Sequence, residues 1–124
     1  MKVINSFVFQ HCFQLAGDLI IPDSVVSIDS YAFSGCTRFS GDLKIPDTVL
    51  GVSDNAFSYC SGFNGSLIIS RNITTIAEST FHECSRLNGN LTIPNSVTVI
   101  EKGAFQLKAY CIMRLKTVPD SMER

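Results

Sequence analysis

The sequence predicts a repeat solenoid of α/β type. Each turn of chain adds one short strand to a parallel sheet on one face, with short helical (3₁₀ or α) turns and extended segments elsewhere. Three series of residues predict it. Phenylalanine recurs at Phe9, Phe33, Phe57, Phe81 and Phe105, cysteine at Cys12, Cys36, Cys60 and Cys84, and glycine at Gly17, Gly41, Gly65 and Gly89. Every step is 24 residues, and a fixed period of roughly 20–50 residues is the signature of stacked supersecondary units.

In chain order, residues 1–8 form a partial coil. Met1 and Ile4 already stand in register with Val25 and Ile28, so the chain is expected to be a piece of a longer array. Full coils follow at about 9–32, 33–56, 57–80 and 81–104, and an irregular coil or cap at 105–124, all within one domain spanning 1–124. Within a coil, Leu43-Lys44-Ile45-Pro46 and its counterparts alternate with period two, a short strand with leucine and isoleucine inward. Proline ends that strand because it has no N–H for the next ladder bond. Val25-x-x-Ile28 and its counterparts make a second short extended or turn-like segment. In Ala32-Phe33-x-x-Cys36-x-x-Phe39 the apolar residues recur at three, which suits a helical turn. The glycine two residues later is expected at a bend that a Cβ would obstruct. One coil cannot bury enough apolar surface to offset the ordering of its own backbone, so coils must stack and share faces.

The register fails after Phe105. Lys108 falls where cysteine is due, and Cys111 where leucine or phenylalanine is due. Gln106 to Lys116 reads as a longer helical turn or modified cap, with a last short strand at Val118–Met122 that matches Ile21–Val25 displaced by one residue.

Bulk properties remove several function classes. The chain has 124 residues, with ten basic against eleven acidic side chains and a net charge of −1. That balance gives no electrostatic case for nucleic acid or an anionic membrane surface. Apolar content of 45% argues for a folded chain, and no apolar run reaches the roughly 18–20 residues of a membrane span. The first residues carry one lysine and then enter the repeat, so no signal peptide is read there.

These residues resemble the BspA-like, or Treponema pallidum-type, leucine-rich repeats. The motifs that carry the resemblance are Ile93-Pro94-Asn95-Ser96-Val97-Thr98-Val99-Ile100-Glu101-Lys102-Gly103-Ala104-Phe105 and Ala56-Phe57-Ser58-Tyr59-Cys60. The resemblance covers residues 1 to about 105 and again 118 to 122. The unit here has an additional position around the glycine, and Ser70 replaces proline in the third coil. The resemblance implies a right-handed coil and a place in surface or secreted proteins, often adhesins that bind host matrix proteins. Fold alone does not dictate that function.

Candidate chemistry is sparse. No two cysteines of the ladder lie closer than 24 residues apart, unlike the close pairs of cysteine metal sites. Stacked parallel thiols also lack disulfide geometry. The ladder is therefore expected to be a column of small buried hydrophobes, with Cys111 off it. His11 and His82 sit in different coils without a recurrent Ser or Asp companion and read as surface histidines. No nucleophile elbow, phosphate loop or HExxH motif occurs. No catalytic residue, metal or other cofactor is assigned.

The outward strand residues are more informative: Asp18 and Ile20, Asp42 and Lys44, Ser66 and Ile68, Asn90 and Thr92. Stacking aligns them in two columns on one exposed face, where isoleucines in a polar column mark a binding surface. Asp18 and Asp42 would repel on neighbouring strands unless a cation such as calcium lay between them. Asn64, Asn72 and Asn90 head N-glycosylation acceptor tripeptides, relevant only in a eukaryotic secretory route. The expected function is a non-enzymatic scaffold binding a protein or other macromolecule through this face. The alternative is a structural spacer or self-assembling stalk whose open coil ends stack end to end.

Overall fold

A computed structural model gives the fold. It describes residues 1–106 and, as backbone only, 114–116. The strands are β1 (Lys2–Ile4), β2 (Val25–Ile28), β3 (Leu43–Lys44), β4 (Gly51–Val52), β5 (Leu67–Ile68), β6 (Thr75–Ile76), β7 (Asn90–Thr92), β8 (Val99–Ile100) and β9 (Arg114–Lys116). They form parallel sheets in the orders β1-β2-β4, β3-β5-β7-β9 and β6-β8. Among the described residues no helix is long and apolar enough to cross a membrane.

The pairing follows the repeat. Leu43 pairs with Leu67 and Leu67 with Leu91, while Ile28 pairs with Val52 and Ile76 with Ile100. Each partner lies one period on, so equivalent side chains stand over one another. Phe9, Phe33, Phe57, Phe81 and Phe105 form an unbroken stack with successive ring centroids 5.3, 5.2, 6.0 and 5.6 Å apart. Phe39 stacks on Phe63 beside them. Around these rings the inward residues of both strand columns close a single core, including Leu43, Ile45, Val49, Leu67, Ile73, Ile76, Leu87 and Val97.

The expected helical turns are absent, and hydrogen bonding explains why. In the Ala-Phe-x-x-Cys segment, alternate amides leave their own repeat. The N–H groups of Tyr31, Phe33 and Gly35 donate to the carbonyls of Asp54, Ala56 and Ser58 in the next repeat. Those of Ala32, Ser34 and Cys36 donate three residues back, to Asp29, Tyr31 and Phe33. A helix would aim every amide along its own axis. The alternation instead brings two positions per repeat to positive φ: Phe7, Tyr31, Asn55, Ser79 and Gly103 at one, and His11, Gly35, Tyr59 and Glu83 at the other. Positive φ costs a residue with a side chain about 1–2 kcal/mol, offset by the bond to the next repeat. Spacing of three is common to a helical turn and to this chain of tight turns, so apolar periodicity does not separate them.

Two further expectations are corrected. Leu19 to Ile21 repeats the strand motif but forms no strand. In that strand column the first repeat meets the second through an isolated bridge, Gly17 to Phe39, two residues short of the period. Arg114–Lys116, inside the stretch read as a helical turn, forms β9 and pairs Asn90 with Arg114. The backbone keeps the period there after the side chains have lost it. The expected strand at Val118–Met122, and Cys111, lie outside the described residues.

Candidate functional site

The strand face is built by alternation. Leu43, Leu67 and Leu91 and the following Ile45 and Ile69 are buried, which turns the residues between them outward. Lys44 pairs with Ile68 and Ile68 with Thr92, so these three stand in one exposed column across three strands. Ile68 is 42% exposed, a large apolar side chain between a lysine and a threonine.

The second column, Asp42, Ser66 and Asn90, is tied by side chain to backbone. An Asp42 carboxylate oxygen accepts from the Ser66 N–H at 2.8 Å, and the Ser66 hydroxyl accepts from the Asn90 N–H at 2.9 Å. Ser66 is accordingly only half-exposed. Asp42 thus finds a backbone donor in the next repeat, which removes the need for a cation to stabilise it. Among the described residues no three acidic, histidine or cysteine side chains converge on a point. Asp18 and Ile20 are exposed as expected, but they stand outside the sheet and do not extend the columns.

Two clefts flank Ile68. One, of 530 Å³, is lined by Ser66, Ile68, Arg71, Asn90, Thr92 and Pro94, among others. The other, of 480 Å³, takes in Asp23, Lys44, Pro46, Asp47, Ile68 and Arg71. Ile68, Ile69 and Arg71 border both, so the two clefts adjoin along the strand face.

Sequence reasoning missed Asp47, Arg71, Pro94 and Asn95. Asp47 and Arg71 occupy the same repeat position one period apart, and opposite charges at one position in successive repeats are a legible signal. The Arg71 Nε and Nη2 donate to one Asp47 oxygen at 3.0 and 2.8 Å, and the Arg71 backbone N–H donates to the other at 2.9 Å. These bonds hold the Asp47 carboxyl below the usual carboxylate range and raise the guanidinium. Nearby, Asn72 donates to the Asp47 carbonyl, and the Ser70 hydroxyl donates to the Val49 carbonyl at 2.7 Å. Serine in place of proline therefore gives the third repeat a bonded tie that its neighbours lack.

Away from the face, the cysteine column is buried at Cys36, Cys60 and Cys84, and half-buried at Cys12. The column is more than apolar filling. Each buried thiol donates to the carbonyl of the phenylalanine one period and three residues earlier: Cys36 to Phe9 at 2.9 Å, Cys60 to Phe33 at 3.0 Å and Cys84 to Phe57 at 3.1 Å. Burial pushes the Cys60 thiol well up and the Cys36 thiol up. His11 is exposed. His82 is half-buried against the Tyr59 ring, its Nε2 3.3 Å from the tyrosine hydroxyl and its Nδ1 without a partner among the described residues.

Comparison with known proteins agrees with the repeat geometry. Residues 2–124 match the family model described as BspA type leucine rich repeat region, in six copies. No curated protein and no solved structure matches the chain. Repeats of this family suggest a protein-interaction scaffold. On that match, extending over nearly its whole length, the chain belongs to the BspA-type leucine-rich repeat family.

Proposed function

We propose that the chain is a non-enzymatic scaffold, one continuous right-handed solenoid over residues 1–124, that binds another protein through its strand face. Asp42, Lys44, Ser66, Ile68, Asn90 and Thr92 form the contact area, and Asp18 and Ile20 lie at its margin. The observation that carries this reading is Ile68, solvent-exposed in an in-register column with a cleft on each side. A large apolar side chain with concave surface beside it is the usual form of an interface anchor. Surface attachment, as part of an adhesin-like surface or secreted protein, is the biological setting that the family supports. No reaction is assigned, because recognition uses a repeated surface whereas catalysis needs one special site.

Immobilised extracellular matrix proteins provide the test, read by surface plasmon resonance. Ile68→Asp places a charge at the centre of the face and is expected to weaken a captured interaction by tenfold or more. Binding unchanged by Ile68→Asp, and by alanine at Lys44 and Thr92, overturns the strand-face assignment.

A second reading, end-to-end stacking into a stalk, is favoured by one observation. Val8 and Leu15 are 51% and 38% exposed, whereas the residues at their positions in later repeats, such as Ala56 and Phe63, are fully buried. A repeat from a second copy would cover them. Light scattering that shows mass rising with concentration supports this stalk, and a constant monomer mass rejects it.

A further inference from the structure

We propose that Arg71 makes the strand-face groove selective for an extended protein segment with an acidic side chain next to an aliphatic one. The aliphatic side chain covers Ile68 and the carboxylate pairs with the Arg71 guanidinium. This names the partner chemistry of the face described above and rests on that reading.

Charge carries the argument. Among the described residues Arg71 is the one formally charged residue lining the larger cleft, whose other walls are Ser66, Asn90, Thr92 and Asn95 over a floor of Ile68 and Pro94. Among the described residues that cleft joins an apolar floor to one cation, whose partner Asp47 lines the second cleft and not this one. The Arg71 side chain is 80% exposed. Its Nε and Nη2 serve Asp47, which leaves Nη1 without a partner among the described residues. Asp47 fixes the direction of the side chain, so less rotamer entropy is lost when a partner carboxylate arrives. A guanidinium takes carboxylates in a defined plane, a preference lysine does not share.

The course of the groove decides between two sources of carboxylate. A chain terminus would fill one cleft and stop. Here a second cleft adjoins the first at Ile68, Ile69 and Arg71, so an extended occupant would cross from one into the other. An occupant continuing on both sides is an internal segment, and its carboxylate is that of Asp or Glu. Arg71 also breaks the repeat, since the same position holds Asp23, Asp47 and Asn95 in the other repeats. A surface that repeats cannot fix the register of a partner along it, and a guanidinium found at one level can, since the other cation of the groove, Lys44, lacks its planar geometry.

The test uses a phage-displayed library of random twelve-residue peptides selected on the full chain. Enriched sequences are then synthesised with blocked ends and measured by fluorescence polarisation. The expected peptides carry Asp or Glu within two positions of Leu, Ile or Val. Arg71→Gln is expected to weaken them about tenfold or more. Changing the peptide's acid to its amide is expected to cause the same loss on the unaltered protein and none on Arg71→Gln, because the two changes remove one contact. Peptides lost on Ile68→Asp but indifferent to Arg71→Gln overturn the acidic rule and leave the face standing. Peptides indifferent to both, or no enrichment over the unselected library, overturn both readings. Arg71 is exposed, so a melting temperature near that of the unaltered protein shows that Arg71→Gln is folded.

Discussion

The first repeat and the third carry the same instructions and follow them differently. Gly17-Asp18-Leu19-Ile20-Ile21 and Gly65-Ser66-Leu67-Ile68-Ile69 share the strand motif almost residue for residue. In the third repeat Leu67–Ile68 is a strand hydrogen-bonded on both sides. In the first, no strand forms and Ile20 is 80% exposed. The motif is thus permissive. A two-residue strand has almost no stability of its own, and its ordering is supplied by the neighbours it pairs with. Leu67–Ile68 pairs with strands on both sides, whereas Leu19 to Ile21 pairs with no strand. Folding in this chain is a nearest-neighbour property, and single substitutions should cost more at a given position in the interior than at the end.

The largest effect is expected in the phenylalanine stack. Phe57 is fully buried between Phe33 and Phe81, and Phe57→Ala is expected to cost about 3–5 kcal/mol. Phe9 is half-buried and stacks on Phe33 alone, so Phe9→Ala should cost roughly half as much. Thermal melts of the two variants measure the ratio, and equal losses break the nearest-neighbour account. Hydrogen exchange sharpens it within the unaltered protein. The Leu43 and Ile45 amides donate to Ser66 and Ile68 carbonyls and should be protected. The Leu19 and Ile21 amides have no acceptor among the described residues and should exchange early.

Two glycines of one series separate a steric demand from a conformational one. Gly17 has φ +80 and open space around an added Cβ. Gly65 has no positive φ, but an added Cβ would run into the Asp42 carboxylate and backbone. Gly17→Ala and Gly65→Ala should each cost about 1–2 kcal/mol, for different reasons. Asparagine distinguishes them, because it tolerates positive φ and occupies space. Gly17→Asn should restore most of the loss in a melting experiment, and Gly65→Asn should restore none.

What the sequence disclosed follows from how each feature is encoded. Stacking was legible because burial selects residue type at fixed positions, and Phe33, Phe57 and Phe81 advertise a shared column. The outward positions of Lys44, Ile68 and Thr92 followed from strand alternation. The tight turns around Tyr31 and Gly35 were not legible. Their amides are turned by inter-repeat hydrogen bonding, which leaves no mark on side-chain identity: phenylalanine, tyrosine, asparagine, serine and glycine all occupy one positive-φ position. The unpaired state of Leu19 to Ile21 was hidden because its own residues are those of a strand and only the neighbouring repeat differs. Arg71 and Asp47 were visible but overlooked, since columns were traced only on the strands and this pair sits just beyond the strand end.

The smallest expected effect distinguishes two thiols of one ladder. Cys36 lies beneath the loosely joined first repeat, with its S–H on the Phe9 carbonyl, whereas Cys60 lies between full repeats. Burial raises both thiols above the ordinary 9.0, Cys60 further than Cys36. Below that value both are protonated whether the chain is folded or unfolded, and their contribution to stability is constant. As pH climbs past it, the unfolded chain releases thiol protons that the folded chain retains. Unfolding then releases protons, and rising pH favours it. Urea midpoints from pH 8 to 10 should therefore fall for the unaltered protein. Cys60→Ala should flatten the decline more than Cys36→Ala does, since every other titratable group is common to all three proteins. An equal slope in both variants would mean that the second repeat encloses its thiol as completely as the third, and that loosening at the first repeat stops at the strand face.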